Sequence, residues 1–313
     1  MKKILITGGT GFVGGHLLRA LQRVISISET EIHLTSLHEQ KVEGAIVNAL
    51  DLTDKIAVEK LFQTILPDEI YHLASLASVP DSFKDPHGVV DNNFKLTLNV
   101  LEAMRQFTPQ AKMLLVSSAD IYQPRPDLKK INEEVLVAPA NPYSASKAAQ
   151  DLLAGAYSQS FALNIVRARP FNHIGAGQNR GFVISDFASQ IAAAEKDPQI
   201  NSLAVGNLSA ARDFTAVDDI VQAYILLMAQ GEKGEIYNLG RGEAITIQTV
   251  LDRLLALSQK KLTVTIDQSK FRPIDNPYIC ADTSKIKTLG WRAKIPLEQT
   301  LAEILQDWRD KMV

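Results

Sequence analysis

Residues 3–20 read KILITGGTGFVGGHLLRA. The apolar run ILIT is typical of a buried strand, and the amphipathic stretch HLLRA is typical of a helix. Between them stand Gly8, Gly11 and Gly14. A strand-to-helix turn of this kind needs residues without a Cβ where the backbone approaches a pyrophosphate, and the helix N-terminus offers free N–H groups. The stretch predicts a dinucleotide-binding turn, with a purely structural tight turn as the alternative.

Strand-like and helix-like stretches alternate through the first half of the chain. EIHLTS, EIYHLA, KMLLVSS and NIVRARP have the character of strands, with amphipathic helical stretches between them. Such alternation predicts an α/β fold with a doubly wound parallel sheet and helices on both faces. The strands are apolar runs, as expected when both faces of the sheet are covered.

The pattern changes after Pro170. A loop rich in Gly and Asn follows, and then a mixed region with short strands and turns. The helix VDDIVQAYILLMAQ and the strand EIYNLG again resemble the first half. We therefore predict a dinucleotide-binding domain over residues 1–170, with returning segments near 214–241. Residues 171–213 and 242–313 should form a smaller, interleaved substrate-binding α/β region.

Composition excludes several classes of protein. The 313 residues carry a formal net charge of −2, so no basic excess points to nucleic acid or to an acidic membrane surface. The apolar runs are too short for a signal peptide core or a membrane span. The single cysteine, Cys280, allows no intrachain disulfide, which fits a reducing compartment. We expect a soluble, cytoplasmic protein, and no metal site is predicted.

A second constellation is NPYSASK, residues 141–147. Tyr143 and Lys147 are four apart on a predicted helix and so share a face. A carbonyl that accepts a hydride must also gain a proton, which a tyrosine can donate. A lysine charge at ~4 Å would contribute about 4 kcal/mol at an effective dielectric of ~20, enough to lower the pKa of Tyr143 by up to ~3 units. The alternative is an ordinary helix with a solvated lysine.

Together these motifs resemble the extended short-chain dehydrogenase/reductase superfamily, in its branch that modifies sugar nucleotides. The resemblance implies that Ser118, at the end of the strand LLVSS, hydrogen-bonds the reacting oxygen, with Ser117 as its neighbour. It also implies that Asn93 helps to form the substrate site, although the usual glycine of that helix is Leu96 here. The implied cofactor contacts, besides Tyr143 and Lys147, are Gly8, Gly11, Phe12, Val13, Gly14, Ser36, Asp51, Leu52 and Ala74.

Two of these cofactor contacts have open interpretations. Asp51 matches an aspartate that contacts adenine in the family, and it could equally cap the next helix. The end of the second predicted strand, Thr35-Ser36-Leu37-His38, has neither an acid for a ribose 2′-hydroxyl nor an arginine for a 2′-phosphate. Its small hydroxyls could admit a phosphate, which favours NADP slightly over NAD.

The residues after Ser118 bear on the reaction. A 4,6-dehydratase needs an extra base and typically an acid there, and the family commonly has Asp-Glu or Ser-Glu. This chain has Ala119-Asp120. Alanine cannot act as an acid, and aspartate is one methylene shorter than glutamate, which argues against dehydration. We expect Asp120 to lie beside the sugar and to orient it.

The second half resembles the GDP-mannose branch, through RPFNHIGAGQ (169–178), GFVI (181–184), ARDF (211–214) and DTSK (282–285). The GDP-4-dehydro-6-deoxy-D-mannose reductases are the most similar family. The resemblance implies a GDP-sugar substrate held by Asn172, Val183, Arg212 and Arg272. Arg212 could instead pair with Asp213 or Asp218, Arg272 could be a surface residue, and His173 is expected to be structural.

The predicted function is NAD(P)H-dependent reduction of the C4 keto group of GDP-4-dehydro-6-deoxy-D-mannose to GDP-D-rhamnose. The alternatives are an NDP-sugar 4-epimerase or 4,6-dehydratase with bound NAD(P), and a non-catalytic NAD(P)-sensing protein. The family commonly forms a homodimer through two helices, here NNFKLTLNVLEAM and YSASKAAQDLLAGAY. Leu98, Leu101, Leu152 and Leu153 are candidates for that interface or for the core.

Overall fold

The computed structural model describes residues 1–26, 29–125, 127–271 and 276–312. Its strands, in chain order, are β1 (Lys2–Thr7), β2 (Thr30–Ser36), β3 (Ile46–Ala49), β4 (Glu69–His72), β5 (Lys112–Val116), β6 (Asn164–Pro170), β7 (His173–Ile174), β8 (Ser202–Val205), β9 (Ala211–Asp213), β10 (Thr215–Ala216), β11 (Ile236–Leu239), β12 (Ala244–Thr246), β13 (Thr263–Ile266) and β14 (Tyr278–Ile279).

The helices are α1 (Phe12–Val24), α2 (Lys55–Ile65), α3 (Val79–Lys84), α4 (Pro86–Phe107), α5 (Pro142–Ser160), α6 (Val183–Lys196), α7 (Val217–Gln230), α8 (Ile247–Ala256), α9 (Ser284–Thr288) and α10 (Leu297–Lys311). Short 3-10 turns lie at Ala119–Ile121 and Gln268–Lys270. Within the described ranges, no helix combines the length and the apolar character that crossing a bilayer requires.

A seven-stranded sheet forms the centre of the molecule, in the order β11-β6-β5-β4-β1-β2-β3. All its neighbouring strands pair in parallel, so their carboxyl ends meet at one edge. The order reverses direction between β1 and β4, which is the point where doubly wound sheets open a crevice for ligands. The predicted α/β fold with a doubly wound sheet is therefore confirmed.

Alternate residues of the strands serve two separate cores. On β1, Ile4 and Ile6 pack toward α1 and α7, whereas Leu5 packs toward α2 and α4. All three side chains are almost completely buried. This two-sided burial explains why the strands read as continuous apolar runs.

The C-terminal region adds three small sheets, β10-β7, β12-β9-β14 and β13-β8. The buried carboxylate of Asp213 stabilises the sheet β12-β9-β14, because it accepts the backbone N–H groups of Arg241 and Gly242, just before β12, and of Ala281, just after β14, at 2.8 to 3.1 Å. Burial raises the pKa of Asp213. α7 and β11 return to the main sheet, where β11 pairs with β6. The division of the chain into two domains stays a prediction.

Candidate active site

A cleft of about 730 Å³ lies at the carboxyl ends of the central strands, within the usual size range of ligand sites. Fourteen of the predicted site residues line it: Gly8, Gly11, Phe12, Val13, Gly14, Ser36, Asp51, Leu52, Ala74, Ser118, Asp120, Tyr143, Lys147 and Asn172. The structure thus brings the glycine turn and the Tyr-x-x-x-Lys helix, which are far apart in sequence, to one site.

The glycine turn leaves no room for side chains. Gly8 has a φ of +66°, and a Cβ there would lie 3.0 Å from the Cα of Ala74. A Cβ on Gly14 would lie 2.5 Å from the carbonyl oxygen of Gly9. α1 begins after Gly11 without a side-chain cap, so its first N–H groups and its dipole are available to an anion in the cleft. This arrangement fits the pyrophosphate of a dinucleotide.

The rim at the end of β2 has no carboxylate, lysine or arginine among the described residues that line the cleft. The Oγ of Ser36 accepts hydrogen bonds from the N–H of His38 at 3.2 Å and from the Nε2 of Gln40 at 2.9 Å. It can still donate its own proton. Just after β3, the strand that pairs with β2, the Oδ1 of Asp51 accepts from the N–H and the hydroxyl of Thr53, both at 2.8 Å. Asp51 therefore organises its turn while it lines the cleft.

The start of α5 places the catalytic candidates. The Oδ1 of Asn141 accepts the N–H of Ser144 at 2.8 Å, and the Oγ of Ser144 accepts the N–H of Asn141 at 3.1 Å. This reciprocal pair, with Pro142 in the first turn, fixes where the helix begins. Tyr143 and Lys147 then stand one turn apart on the face that lines the cleft.

A buried polar path connects α5 to β1. His72 on β4 lies 2.8 Å from the hydroxyl of Thr7 through Nδ1 and 3.0 Å from the hydroxyl of Thr97 through Nε2. Gln150 on α5 donates from Nε2 to Thr97 at 2.5 Å. Burial lowers the pKa of His72 to about 3, and the nearby charge of Lys147 acts in the same direction. His72 is therefore neutral, with one ring nitrogen donating and one accepting.

Ser118 and Asp120, which follow β5, form another part of the wall of the cleft. β5 ends at Val116, and Ser118 starts the following 3-10 turn by accepting the N–H of Asp120 at 3.1 Å. Both side chains are half-buried, whereas Ala119 is buried in a small apolar cluster with Tyr122 and Phe171. The turn thus directs Ser118 and Asp120 toward the cleft, and Ala119 packs into the cluster.

The protonation of Tyr143 differs from the prediction. Its pKa is raised, first by burial and then by the carboxylate of Asp120, and an interaction with the hydroxyl of Ser118 acts in the opposite direction. The predicted lowering by Lys147 is not among the effects on Tyr143. Burial lowers the pKa of Lys147 itself to about 7, against a smaller opposing effect of Asp151. The Nζ of Lys147 donates to the carbonyl of Val116 at 2.7 Å.

Asn93 requires a correction. It was predicted to bind substrate, but its side chain is completely buried and does not line the cleft. Its amide exchanges hydrogen bonds with the backbone of Leu76, at 2.8 and 3.1 Å, and donates to the Oγ of Ser146 at 2.8 Å. Asn93 therefore connects the loop after β4 to α5.

The other substrate candidates are only partly brought to the cleft. Val183 packs in the core of the C-terminal region, and its neighbour Phe182 lines the cleft instead. Arg212 is half-buried on β9, outside the lining of the cleft, and its Nη1 donates to the carbonyl of Ala211 at 2.8 Å. The alternative pairing of Arg212 with Asp213 or Asp218 finds no support among the described residues, where Asp213 accepts backbone N–H groups and Asp218 binds His16. Arg272 lies outside the described residues.

Several site residues were missed from the sequence. His72, Thr97 and Gln150 were missed, although a histidine inside an apolar strand is itself a signal of a buried polar contact. His173, which was expected to be structural, lines the cleft, and its ring stacks on that of Phe12 with centroids 6.4 Å apart. In the described part of the chain, no three His, Cys, Asp or Glu side chains group in a way that could hold a metal ion.

Comparison with known proteins gives a consistent picture. A profile of the family described as GDP-mannose 4,6 dehydratase matches residues 5–304. The GDP-6-deoxy-D-mannose reductase of Pseudomonas aeruginosa is 32% identical over 99% of this chain and 98% of its own length. The GDP-6-deoxy-D-talose 4-dehydrogenase of Aggregatibacter actinomycetemcomitans is 29% identical, over 91% of this chain and 90% of its own.

Two solved structures are similar throughout. The structure of RMD from Pseudomonas aeruginosa complexed with NADPH has a TM-score of 0.87 at 31% identity, covering 99% of this chain and 100% of that one. The UDP-glucose 4-epimerase of Thermus thermophilus in complex with NAD has a TM-score of 0.87 at 27% identity, covering 98% and 99%.

A Gly14→Ala substitution should abolish tight dinucleotide binding, because its Cβ would meet backbone oxygens that cannot move without opening the turn. Gly15→Ala is the matched control, since its Cβ would come no closer than 3.6 Å to the flexible side chain of Arg19. Titration with NADPH and NADH, followed by fluorescence, should show binding for Gly15→Ala and none for Gly14→Ala. Equal affinities would contradict the role of the turn.

The lowered pKa of Lys147 predicts a pH-dependent stability. Between its folded value of about 7 and its unfolded value of about 10.4, the unfolded chain binds a proton that the folded chain does not. Wild type therefore loses stability as the pH falls through this window, and the penalty is complete below pH ~7. At pH 6.5, the free energy of unfolding of Lys147→Met, measured in urea, should be on the order of 2 kcal/mol higher than that of wild type. This difference between the variant and wild type should decrease toward pH ~10.

Lys95→Met serves as the control for this measurement, because Lys95 is exposed on α4 in a surface pair with Asp91. Its stability difference from wild type should be small and should not change over the same pH range. A Lys147→Met variant that is less stable than wild type at pH 6.5 would show that Lys147 is charged and well paired in the fold.

Proposed function

The chain belongs to the extended short-chain dehydrogenase/reductase family of NAD(P)-dependent enzymes that modify nucleotide sugars, and we propose that it is a reductase. The proposed substrate is GDP-4-dehydro-6-deoxy-D-mannose, reduced at the C4 keto group to GDP-D-rhamnose. The observation that carries the proposal is the wall after β5, where Ser118 is followed by a buried Ala119 and then by Asp120.

That wall provides too few acid and base groups for dehydration. Elimination of water needs a base for the C5 proton and an acid for the C6 hydroxyl, in addition to Tyr143. Among the described residues that line the cleft, the carboxylates are Asp51, at the predicted adenine end, and Asp120. Simple reduction needs one proton donor, which Tyr143 supplies. The 32% identity to a GDP-6-deoxy-D-mannose reductase supports the same choice.

The proposed roles follow from the geometry. Bound NAD(P)H would supply the hydride that adds to C4. Ser118 would hydrogen-bond the C4 oxygen, and Tyr143 would protonate it to the hydroxyl. The raised pKa of Tyr143 suits this direction, because the phenol is fully protonated at neutral pH and can act as an acid. Lys147, with a pKa of about 7, can return a proton to the tyrosine and hold the adjacent ribose.

Other residues would hold the two nucleotides. We assign the cofactor to the glycine turn with Phe12 and Val13, to Ala74, and to Asp51-Leu52. Ser36 would face the adenosine ribose, and the lack of a carboxylate among the described lining residues at the end of β2 supports NADP over NAD. Asn172 and the N-terminal end of α6, at Val183, would contact the sugar diphosphate. Arg212 and Arg272 remain the proposed partners of its phosphates.

The first test is the reaction itself. Adding GDP-4-dehydro-6-deoxy-D-mannose should oxidise NADPH or NADH, with one equivalent of reduced sugar formed. Tyr143→Phe should lower kcat by about 10²–10⁴-fold, because it removes the proton donor. Asp120→Asn should lower kcat by less than about tenfold. No turnover with either cofactor, or product formed without its consumption, would contradict the reductase and favour an epimerase or dehydratase.

We also propose a homodimer formed through α4 and α5. Leu101 is completely buried and belongs to the core, but Leu152 on α5 is 58% exposed. Phe94 and Val90 on α4 are exposed as well, so apolar side chains remain on the outer faces of both helices. Burial of such side chains between two copies would be favourable.

A Leu152→Arg substitution should therefore convert the dimer to a monomer in light scattering after gel filtration. Leu257→Arg is the matched control, because Leu257 is 41% exposed at the end of α8. The control should keep the mass of two chains. A wild-type protein with the mass of one chain at micromolar concentration would exclude this interface.

A further inference from the structure

The hydroxyl of Tyr224 lacks a hydrogen-bond partner within the described part of the chain. Tyr224 lies on α7 and is 0% exposed. Its OH is buried and finds no hydrogen-bond partner among the described residues. Buried polar groups are almost always hydrogen-bonded, because an unpaired one has lost its contacts with water. Phenylalanine would fill the same space without that loss, so the hydroxyl requires an explanation.

The position of Tyr224 indicates which ligand would explain it. Its ring packs in the core cluster formed by β1, α1 and α7, on the α1 side of the sheet. Tyr224 also lines the cleft. Tyr224 therefore borders the cleft from the side on which the glycine turn and α1 lie. A dinucleotide bound along that turn would lie next to it, between Tyr224 and the sugar substrate.

The position of Tyr224 along the cleft is indicated by Val116, the last residue of β5. Val116 packs against the same apolar cluster as Tyr224, and its carbonyl accepts the Nζ of Lys147, one turn from Tyr143. Burial raises the pKa of Tyr224, and Tyr143 contributes to the rise. Tyr224 is therefore at the reacting end of the cleft and is a protonated donor at neutral pH. The nicotinamide ring of a bound cofactor should lie at this end of the cleft, because its C4 must face the carbonyl group whose oxygen Tyr143 would protonate. The polar substituent of that ring is a carboxamide, whose oxygen accepts hydrogen bonds.

We propose that Tyr224 is a positioning residue whose hydroxyl donates a hydrogen bond to the carboxamide oxygen of the nicotinamide ring. The bond fixes the rotation of the ring and holds its C4 in line with Tyr143 and Ser118. This assignment rests on the family's NAD(P) dependence and not on the identity of the sugar. It is tested by cofactor binding alone, so its failure is distinguishable from failure of the proposed reductase reaction.

The test compares Tyr224→Phe with wild type in calorimetric titrations without sugar. The ligands are NADPH or NADH, whichever binds more tightly to wild type, and the corresponding ADP-ribose, which lacks the nicotinamide ring. Loss of one neutral hydrogen bond should weaken the dinucleotide about fivefold, which corresponds to ~1 kcal/mol. Affinity for the ADP-ribose should be unchanged. The melting temperature of the ligand-free variant should equal or exceed that of wild type, because no protein contact is lost.

Tyr122→Phe is the matched control, because it deletes the same atom from another buried tyrosine. The hydroxyl of Tyr122 donates to the Oδ1 of Asn238 at 2.6 Å, and Tyr122 does not line the cleft. This control should melt at a lower temperature and bind both ligands as wild type does.

A second experiment uses the wild-type protein alone. The thionicotinamide analogue of the cofactor, whose sulfur is a poor acceptor, should bind more weakly than the natural cofactor.

Three results would overturn the proposal. In the first, Tyr224→Phe binds the dinucleotide as tightly as wild type. In the second, it loses affinity equally for the dinucleotide and for the ADP-ribose, which would place the hydroxyl away from the nicotinamide. In the third, its melting temperature falls as that of Tyr122→Phe does, which would show that the hydroxyl is bonded within the protein.

Discussion

The site depends on a buried hydrogen-bonded path that runs from Thr7 through His72 and Thr97 to Gln150. It crosses from the end of β1 to α5, and so it joins the strand that leads into the glycine turn to the helix that carries Tyr143 and Lys147. The hydroxyl of Thr7 also accepts the N–H of Ala74 at 3.2 Å, which fixes the backbone that Gly8 approaches. Because each hydrogen bond is buried, a displacement of one element leaves polar groups unpaired on the others.

Much of this arrangement could be predicted from the sequence. Short-range signals are strong where the backbone itself is constrained. Gly8 and Gly14 have no space for a Cβ, and Asn141-Pro142 with Ser144 define the start of α5. The strands were readable because burial on both faces makes them apolar throughout. These signals, together with the order of strands and helices, were sufficient for the fold. The family resemblance was also needed to predict fourteen of the residues that line the cleft.

What the sequence could not provide depends on three-dimensional environment. Tyr143 and Lys147 were expected to act on each other at an intermediate dielectric, but burial disfavours the charged form of both side chains. Asn93 has the residue type of a substrate ligand, but its amide is used between the loop after β4 and α5. Val183 was one position away from Phe182, the side chain that lines the cleft. The unpaired hydroxyl of Tyr224 is visible only once its surroundings are known.

The central claim is that the enzyme transfers hydride from its cofactor to C4 of the sugar and makes no other change at carbon. The most direct measurement is NMR of the product from two reactions. In the first, the NAD(P)H carries deuterium at the transferred C4 position and the solvent is ordinary water. In the second, the NAD(P)H is unlabelled and the solvent is deuterated water. The account predicts one deuterium at C4 of the product in the first case and no carbon-bound deuterium in the second. Solvent deuterium at C5, or a product without the cofactor's label, would contradict it.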